Sequence, residues 1–151
     1  MTAFQRFSRL GVLQILLVVG ILESFVHYLD NTVRFADYHS ANPPAISSWI
    51  PQWLIPLSWV LFTATAVIGY RRFVQGDRST AAFWIGVYSL SGLVSTLHYV
   101  DITPADLSAF QNTFVFADIV LGVALLAFAV ATARTSRTAS LPSARSMSSR
   151  A

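Results

Sequence analysis

Residues 22–32 read LESFVHYLDNT, a stretch that closes a hydrophobic segment yet carries three ionisable side chains. These belong to Glu23, His27 and Asp30, which are spaced by four and then three residues. Residues at this spacing share one face of an α-helix. The stretch therefore predicts an apolar helix with a single ionisable stripe.

The pattern returns in residues 93–103, which read LVSTLHYVDIT. An ungapped alignment pairs His27 with His98 and Asp30 with Asp101, and it also matches a leucine, a serine, a tyrosine and a threonine. Two such copies in a chain of 151 residues indicate a tandem duplication. We expect a repeated two-helix unit, with the functional site where the copies meet.

The composition is typical of a membrane protein. Of the 151 residues, 54% are hydrophobic and 11% are charged, and the mean hydropathy is +0.57. Soluble domains carry about 25% charged residues. A helix that crosses a bilayer needs about 20 mostly apolar residues. Four segments meet this requirement: 10–29, 53–70, 81–100 and 114–133.

These segments predict an all-α fold, a polytopic four-transmembrane-helix bundle built from the two-helix repeat. We expect the bundle to occupy residues 1–134. Residues 135–151 are rich in serine and arginine, which predicts a disordered basic cytoplasmic tail. Residues 31–52 form the longest connection, and their prolines and tryptophan predict either a loop on the membrane surface or a lid over a cavity.

The arginines predict the orientation. The chain has ten basic residues, all arginine, and a net charge of +3. Nine of them lie before the first segment, between the second and third, or after the fourth, and only Arg34 falls on the other side. The positive-inside rule therefore predicts a multi-pass protein of the cell membrane with both termini cytoplasmic. Since topology explains the basicity, the expected partner is the lipid bilayer, and no nucleic acid is expected.

Ionisable side chains converge in the outer third of the predicted bundle. A parallel repeat has its axis along the membrane normal, which would place His27 and His98 at equal depth. Glu23 and Asp118 lie within apolar helices, each about 10 Å below the outer surface, and they are the candidate catalytic residues. The absence of cysteine excludes thiolate ligands. The candidate metal ligands are His27, His98, Glu23, Asp30, Asp101 and Asp118.

Metal binding is the leading interpretation of this set. Histidine and carboxylate ligands suit zinc, iron, manganese or copper, and mixed clusters of this kind occupy the centres of dimetal four-helix bundles. The Glu-x-x-His spacing of those bundles is absent, since Glu23 and His27 are four residues apart. A variant is haem held by His27 and His98, with Arg34 for a propionate, which we rank below a divalent metal.

Two other interpretations stay open. One is acid–base isomerisation or cyclisation of an isoprenoid or sterol-like substrate by a buried carboxylic acid. The four spans, the Pro/Trp outer segment and the membrane acids resemble the EXPERA family of sterol isomerases. That family would have an acid in its second span, and residues 53–70 contain none, so we do not assign the chain to it.

The other open interpretation is non-enzymatic. The chain would then be an accessory subunit of a larger membrane complex, or a proton-coupled carrier. In that case Glu23 and Asp118 would hydrogen-bond across the bundle and fix its packing, while Asp30 and Asp101 would cap helix ends. Under this interpretation the partners would be other membrane subunits, whereas the acid–base interpretation requires a lipophilic small molecule.

Overall fold

The computed structural model describes residues 3–38 and 49–139, and within these ranges the chain is helical without strands. The α-helices are α1 (Ala3–Val33), α2 (Leu54–Val74), α3 (Arg78–Leu93), α4 (His98–Asp101) and α5 (Ala109–Ala139). Two 3₁₀ helices, Phe35–Tyr38 and Val94–Leu97, follow α1 and α3.

The four predicted apolar segments all form helices. Helical stretches long and apolar enough to cross a membrane cover Ser8–Val33, Leu54–Val74, Arg78–Val100 and Ala109–Ser136. This confirms the all-helical fold with four candidate spans. Insertion into a bilayer and the orientation of the termini stay predictions.

Helix α5 begins before its predicted start because a capping box defines its first turn. The Ser108 N–H donates to Oε1 of Gln111 (2.9 Å), and the Gln111 N–H donates to Oγ of Ser108 (3.2 Å). Such reciprocal bonds satisfy two backbone donors that a helix start leaves free. The helix then runs to Ala139, past the predicted start of the tail at residue 135. The rest of the predicted tail (140–151) and the middle of the predicted surface loop or lid (39–48) lie outside the described residues.

The long helices form an antiparallel ring. Helix α1 packs against α2 and α5, and α3 packs against the same two helices, so α1 and α3 are diagonal. Gln14 donates to the Tyr70 hydroxyl (2.9 Å) and Arg9 to Oγ1 of Thr135 (3.2 Å). These contacts bring the start of α1 and the ends of α2 and α5 to one end of the bundle, which we call the arginine end because it carries Arg9, Arg71, Arg72 and Arg134.

Helices α3 and α5 approach each other closely at two glycines. A Cβ added at Gly92 would lie 2.2 Å from the backbone oxygen of Asp118, and one added at Gly122 would lie 2.9 Å from the backbone nitrogen of Leu93. Only glycine allows backbones this close, as is common where membrane helices meet. The contact sets Asp118 beside the residues that follow α3.

The two copies of the repeated pattern differ in local conformation. Residues 22–32 lie within the continuous helix α1, whereas 93–103 pass through a 3₁₀ helix and α4 to an extended Ile102 (φ −131°, ψ 139°). The second copy ends at Thr103, directly before Pro104, and a residue before proline is disfavoured in a helix. The diagonal positions of α1 and α3 suit a parallel repeat, but the duplication itself stays a prediction.

Candidate functional site

A buried carboxylate joins three parts of the bundle. Asp118 of α5 is 2% exposed, and His27 of α1 is 1% exposed. Nδ1 of His27 lies 2.5 Å from Oδ2 of Asp118, and the Ser95 hydroxyl donates to the same oxygen at 3.0 Å. Since Ser95 belongs to the 3₁₀ helix after α3, the carboxylate holds α1, α5 and the α3 extension together.

A second carboxyl group lies next to this pair. Glu23 stands one helical turn before His27, and its carboxyl neighbours that of Asp118. Both Glu23 oxygens are shielded from solvent, and Asp118 is within hydrogen-bonding reach of them once one of the two carboxyl groups carries a proton. The charges of two buried carboxylates and one imidazole do not cancel unless the groups share a proton or a cation binds. The close approach of the two carboxyl groups therefore favours a proton shared within the cluster.

The other ring nitrogen of His27 is the atom of this site that is available for a further interaction. Nε2 is buried and has no hydrogen-bond partner in the described part of the chain. The His98 ring lies 5.5 Å from the His27 ring, centre to centre. Nδ2 of Asn31 is 3.2 Å from Nε2 of His98, while Oδ1 of Asn31 is buried without a partner. The structure thus brings the two repeated histidines together.

Tyr38 covers the site on the side away from the arginine end. Its side chain is fully buried, and its ring centre lies 4.9 Å from that of His98 and 5.8 Å from that of His27. Its hydroxyl donates to Oδ2 of Asp30 (2.8 Å), and Nε of Arg34 lies 3.4 Å from the other Asp30 oxygen. Burial raises the pKa of Tyr38, and the bond to Asp30 raises it further, so this hydroxyl stays a donor.

The structure brings four of the six predicted site residues together. Glu23, His27, His98 and Asp118 come together in the bundle. Asp30 is instead bound to Tyr38 and Arg34. Asp101 ends α4, and its side chain is outside the described part of the molecule. Among the side chains that are described, no group of three or more His, Asp or Glu is arranged to hold a metal ion.

The sequence analysis did not identify Asn31 and Tyr38. Asn31 could have been found by extending the stripe of Glu23 and His27 by four more residues, since all three then share a helix face. No pattern points to Tyr38, because the 3₁₀ helix after α1 turns the chain back over the histidines.

Comparison with known proteins gives no match to a family model, to a curated protein or to a solved structure.

Proposed function

We propose that this protein is an integral membrane protein whose buried His27–Asp118 pair performs acid–base chemistry on a lipophilic substrate. The observation that carries the proposal is the state of the His27 ring: Nδ1 is held by Asp118, and Nε2 is buried without a partner. A carboxylate on one ring nitrogen fixes the tautomer and orientation of an imidazole, leaving the other nitrogen to give or take a proton.

The surrounding groups supply the remaining requirements of such a site. Glu23 lies beside Asp118, so it can hold the proton that neutralises the two carboxyl groups. The imidazolium would give its Nε2 proton to one carbon of a double bond, which leaves a cation at the other carbon. The neutral ring would then remove a proton from the next carbon beyond the cationic one, whose C–H electrons form the new double bond. The net reaction moves a double bond and consumes no oxidant or reductant. The substrate is lipophilic because the helices that hold the site are long and apolar.

Metal binding is the second candidate, and the same unpartnered atoms favour it. Nε2 of His27 and both oxygens of Glu23 offer free lone pairs, and Asp118 would be the outer partner that commonly orients a metal-bound histidine. It ranks second because the described residues lack three convergent His, Asp or Glu ligands.

Deuterium transfer tests the proposal. The protein would be reconstituted into phosphatidylcholine vesicles in D₂O with a polyprenol or with a sterol that has a ring double bond. We expect mass spectrometry to detect carbon-bound deuterium in one of these lipids. Because general acid–base catalysis contributes about 10²–10⁴-fold, His27→Gln and Asp118→Asn should reduce the rate by at least about 100-fold.

Tyr70→Phe is the control, since Tyr70 contacts Gln14 at the arginine end, away from the site. Elemental analysis of the same preparation separates the second candidate. Stoichiometric metal that His27→Gln removes would transfer the assignment to metal binding. The proposal is overturned if neither lipid takes up deuterium, or if both substituted proteins exchange as fast as the native one.

A further inference from the structure

A pair of exposed arginines lies on α2 at the arginine end of the bundle. Arg71 and Arg72 belong to the last turn of this helix. Together with Ile68 and Gln75 they line a cavity of about 310 Å³, which we call the Arg71 cavity. The four positions are separated by three, one and three residues, so they share one face of the helix. The proposed acid–base chemistry uses none of these side chains.

This face points away from the interior of the bundle. Ala66 and Phe73 are the α2 residues buried in the core at this level. Residues two positions apart on an α-helix are about 160° apart around its axis. Ile68 follows Ala66 by two positions, and Arg71 and Gln75 precede and follow Phe73 by two. In a bilayer the Arg71 cavity would therefore face lipid.

Exposed apolar side chains continue the same face toward the other end of α2. Leu57, Leu61 and Ile68 are exposed, and with Ala64 they recur at intervals of four and three residues, which places them in one stripe that leads to Arg71. From Leu57 to Ile68 the helix rises by about 16 Å at 1.5 Å per residue. The hydrocarbon core of a bilayer is about 30 Å thick. The stripe is thus as long as the hydrocarbon part of one leaflet.

The turn between α2 and α3 carries more positive charge than its surroundings neutralise. Residues 71–78 contain three arginines (Arg71, Arg72 and Arg78) and one acid, Asp77. Nη1 of Arg72 is 3.8 Å from Oδ2 of Asp77, and the Arg78 guanidinium lies 3.8 Å from the ring centre of Phe73. The end of α2 contributes about half a negative charge and the start of α3 about half a positive charge, which leaves an excess of about two positive charges.

The chemistry of these side chains selects the ligand. A guanidinium donates two parallel hydrogen bonds to a phosphate group, and the amide of Gln75 adds a further donor. A zwitterionic headgroup would bring an ammonium group toward two guanidinium groups, which repel it. A free inorganic anion would make no use of the apolar stripe. A negatively charged phosphate diester that carries acyl chains suits both parts of the surface.

We propose that the Arg71 cavity binds the phosphate group of an anionic phospholipid, with an acyl chain along the stripe of Leu57, Leu61 and Ile68. The inference requires that the protein is inserted in a membrane, but it does not depend on the acid–base chemistry of His27. Basic side chains at the membrane surface attract anionic headgroups, and each strengthens the attraction about fivefold.

Native mass spectrometry of the protein in detergent tests the binding. The protein would be titrated with dioleoyl phosphatidylglycerol, with dioleoyl phosphatidylcholine and with glycerol 3-phosphate. We expect phosphatidylglycerol to bind at about tenfold or more lower concentration than either of the others. Equal binding of the two lipids overturns the inference. Glycerol 3-phosphate binding as tightly as phosphatidylglycerol would also overturn it, because the site would then recognise a soluble anion.

Three glutamine substitutions remove the same charge at one end of the bundle. Arg71→Gln and Arg72→Gln should each weaken phosphatidylglycerol binding about fivefold, leave phosphatidylcholine binding unchanged, and together remove most of the preference. Arg134→Gln, on α5 and outside the Arg71 cavity, should keep the preference. Arg71→Lys retains the charge without the two-donor fork and should lie between Arg71→Gln and the native protein. Equal losses for the three glutamine variants would show only a general attraction of positive charge for anionic lipid, and would overturn the inference.

Discussion

At the scale of single residues, the contact between His27 and Asp118 sets the properties of the site. Asp118 accepts two hydrogen bonds and is almost fully buried. Removing one partner of such a pair leaves the other group buried and unsatisfied, which costs more than the bond itself contributes. The pair should therefore behave as one energetic unit.

A double-mutant cycle measures this coupling. His27→Gln, Asp118→Asn and the double variant would be unfolded reversibly in mixed detergent, and we expect a coupling free energy of about 1–3 kcal/mol. The comparison pair is Asp30 and Arg34, where the arginine is about half exposed. Its coupling should stay below about 1 kcal/mol. Strictly additive effects at His27 and Asp118 would contradict the contact.

Tyr38 predicts a change of stability at alkaline pH. Its pKa is raised by burial, so in the folded protein Tyr38 keeps its proton at a pH where the unfolded chain has lost it. Stability should be constant below about pH 10, the ordinary pKa of tyrosine, and should fall above it by up to about 1.4 kcal/mol per pH unit. Unfolding measured from pH 8 to 11 should show a smaller decline for Tyr38→Phe. Identical slopes for the two proteins would rule out the effect.

The residues that sequence reasoning identified are those with unusual chemistry for their setting. An acid within an apolar helix, such as Glu23 or Asp118, needs an explanation wherever it lies. Tyr38 could not be found in this way, because tyrosine is ordinary near a membrane surface and only the turn after α1 brings it over the histidines.

At the scale of the elements, the glycine contact between α3 and α5 predicts a sharp difference between two similar substitutions. A methyl group at Gly92 would overlap the backbone of Asp118, whereas one at Gly86 would be 3.9 Å from the nearest atom, Cβ of Ala129. Gly92→Ala should destabilise the protein by about 1–3 kcal/mol, since the helices must separate. It should also abolish deuterium transfer.

Gly86→Ala provides the reference on the same helix. Alanine is about 1 kcal/mol better than glycine in a helix, so this protein should be at least as stable as the native one, and it should remain active. The prediction fails if both alanine variants unfold at the same detergent composition.

The sequence composition predicts that the four long helices exist, but it does not predict the residues at which they begin and end. The four apolar segments are long enough to be unambiguous. The start of α5 depends on the bonds between Ser108 and Gln111, which a search for apolar segments does not consider. The change from α3 to a 3₁₀ helix at Val94 has no marker in the sequence that we recognise.

At the scale of the whole molecule, the distribution of arginine predicts the orientation. Arg71, Arg72 and Arg134 share one end of the bundle with the start of α1, and Arg34 is at the other. Reporter fusions after Arg78 and after Arg134 should be cytoplasmic, and a fusion after Asp106 should be external. A cytoplasmic reporter at Asp106 would reverse the orientation and move the His27 site to the inner leaflet.

The contact of Gly92 with Gly122 also separates the bundle into two differently packed pairs of helices, α3 with α5 and α1 with α2. Helices α3 and α5 touch backbone to backbone, and Asp118 of α5 accepts a hydrogen bond from Ser95, which follows α3. His27 instead belongs to α1, whose other neighbour, α2, is the least buried span. The two partners of the hydrogen bond therefore belong to different pairs of helices, one packed closely and one packed less closely. A displacement of α1 relative to α5 would therefore lengthen the hydrogen bond between His27 and Asp118.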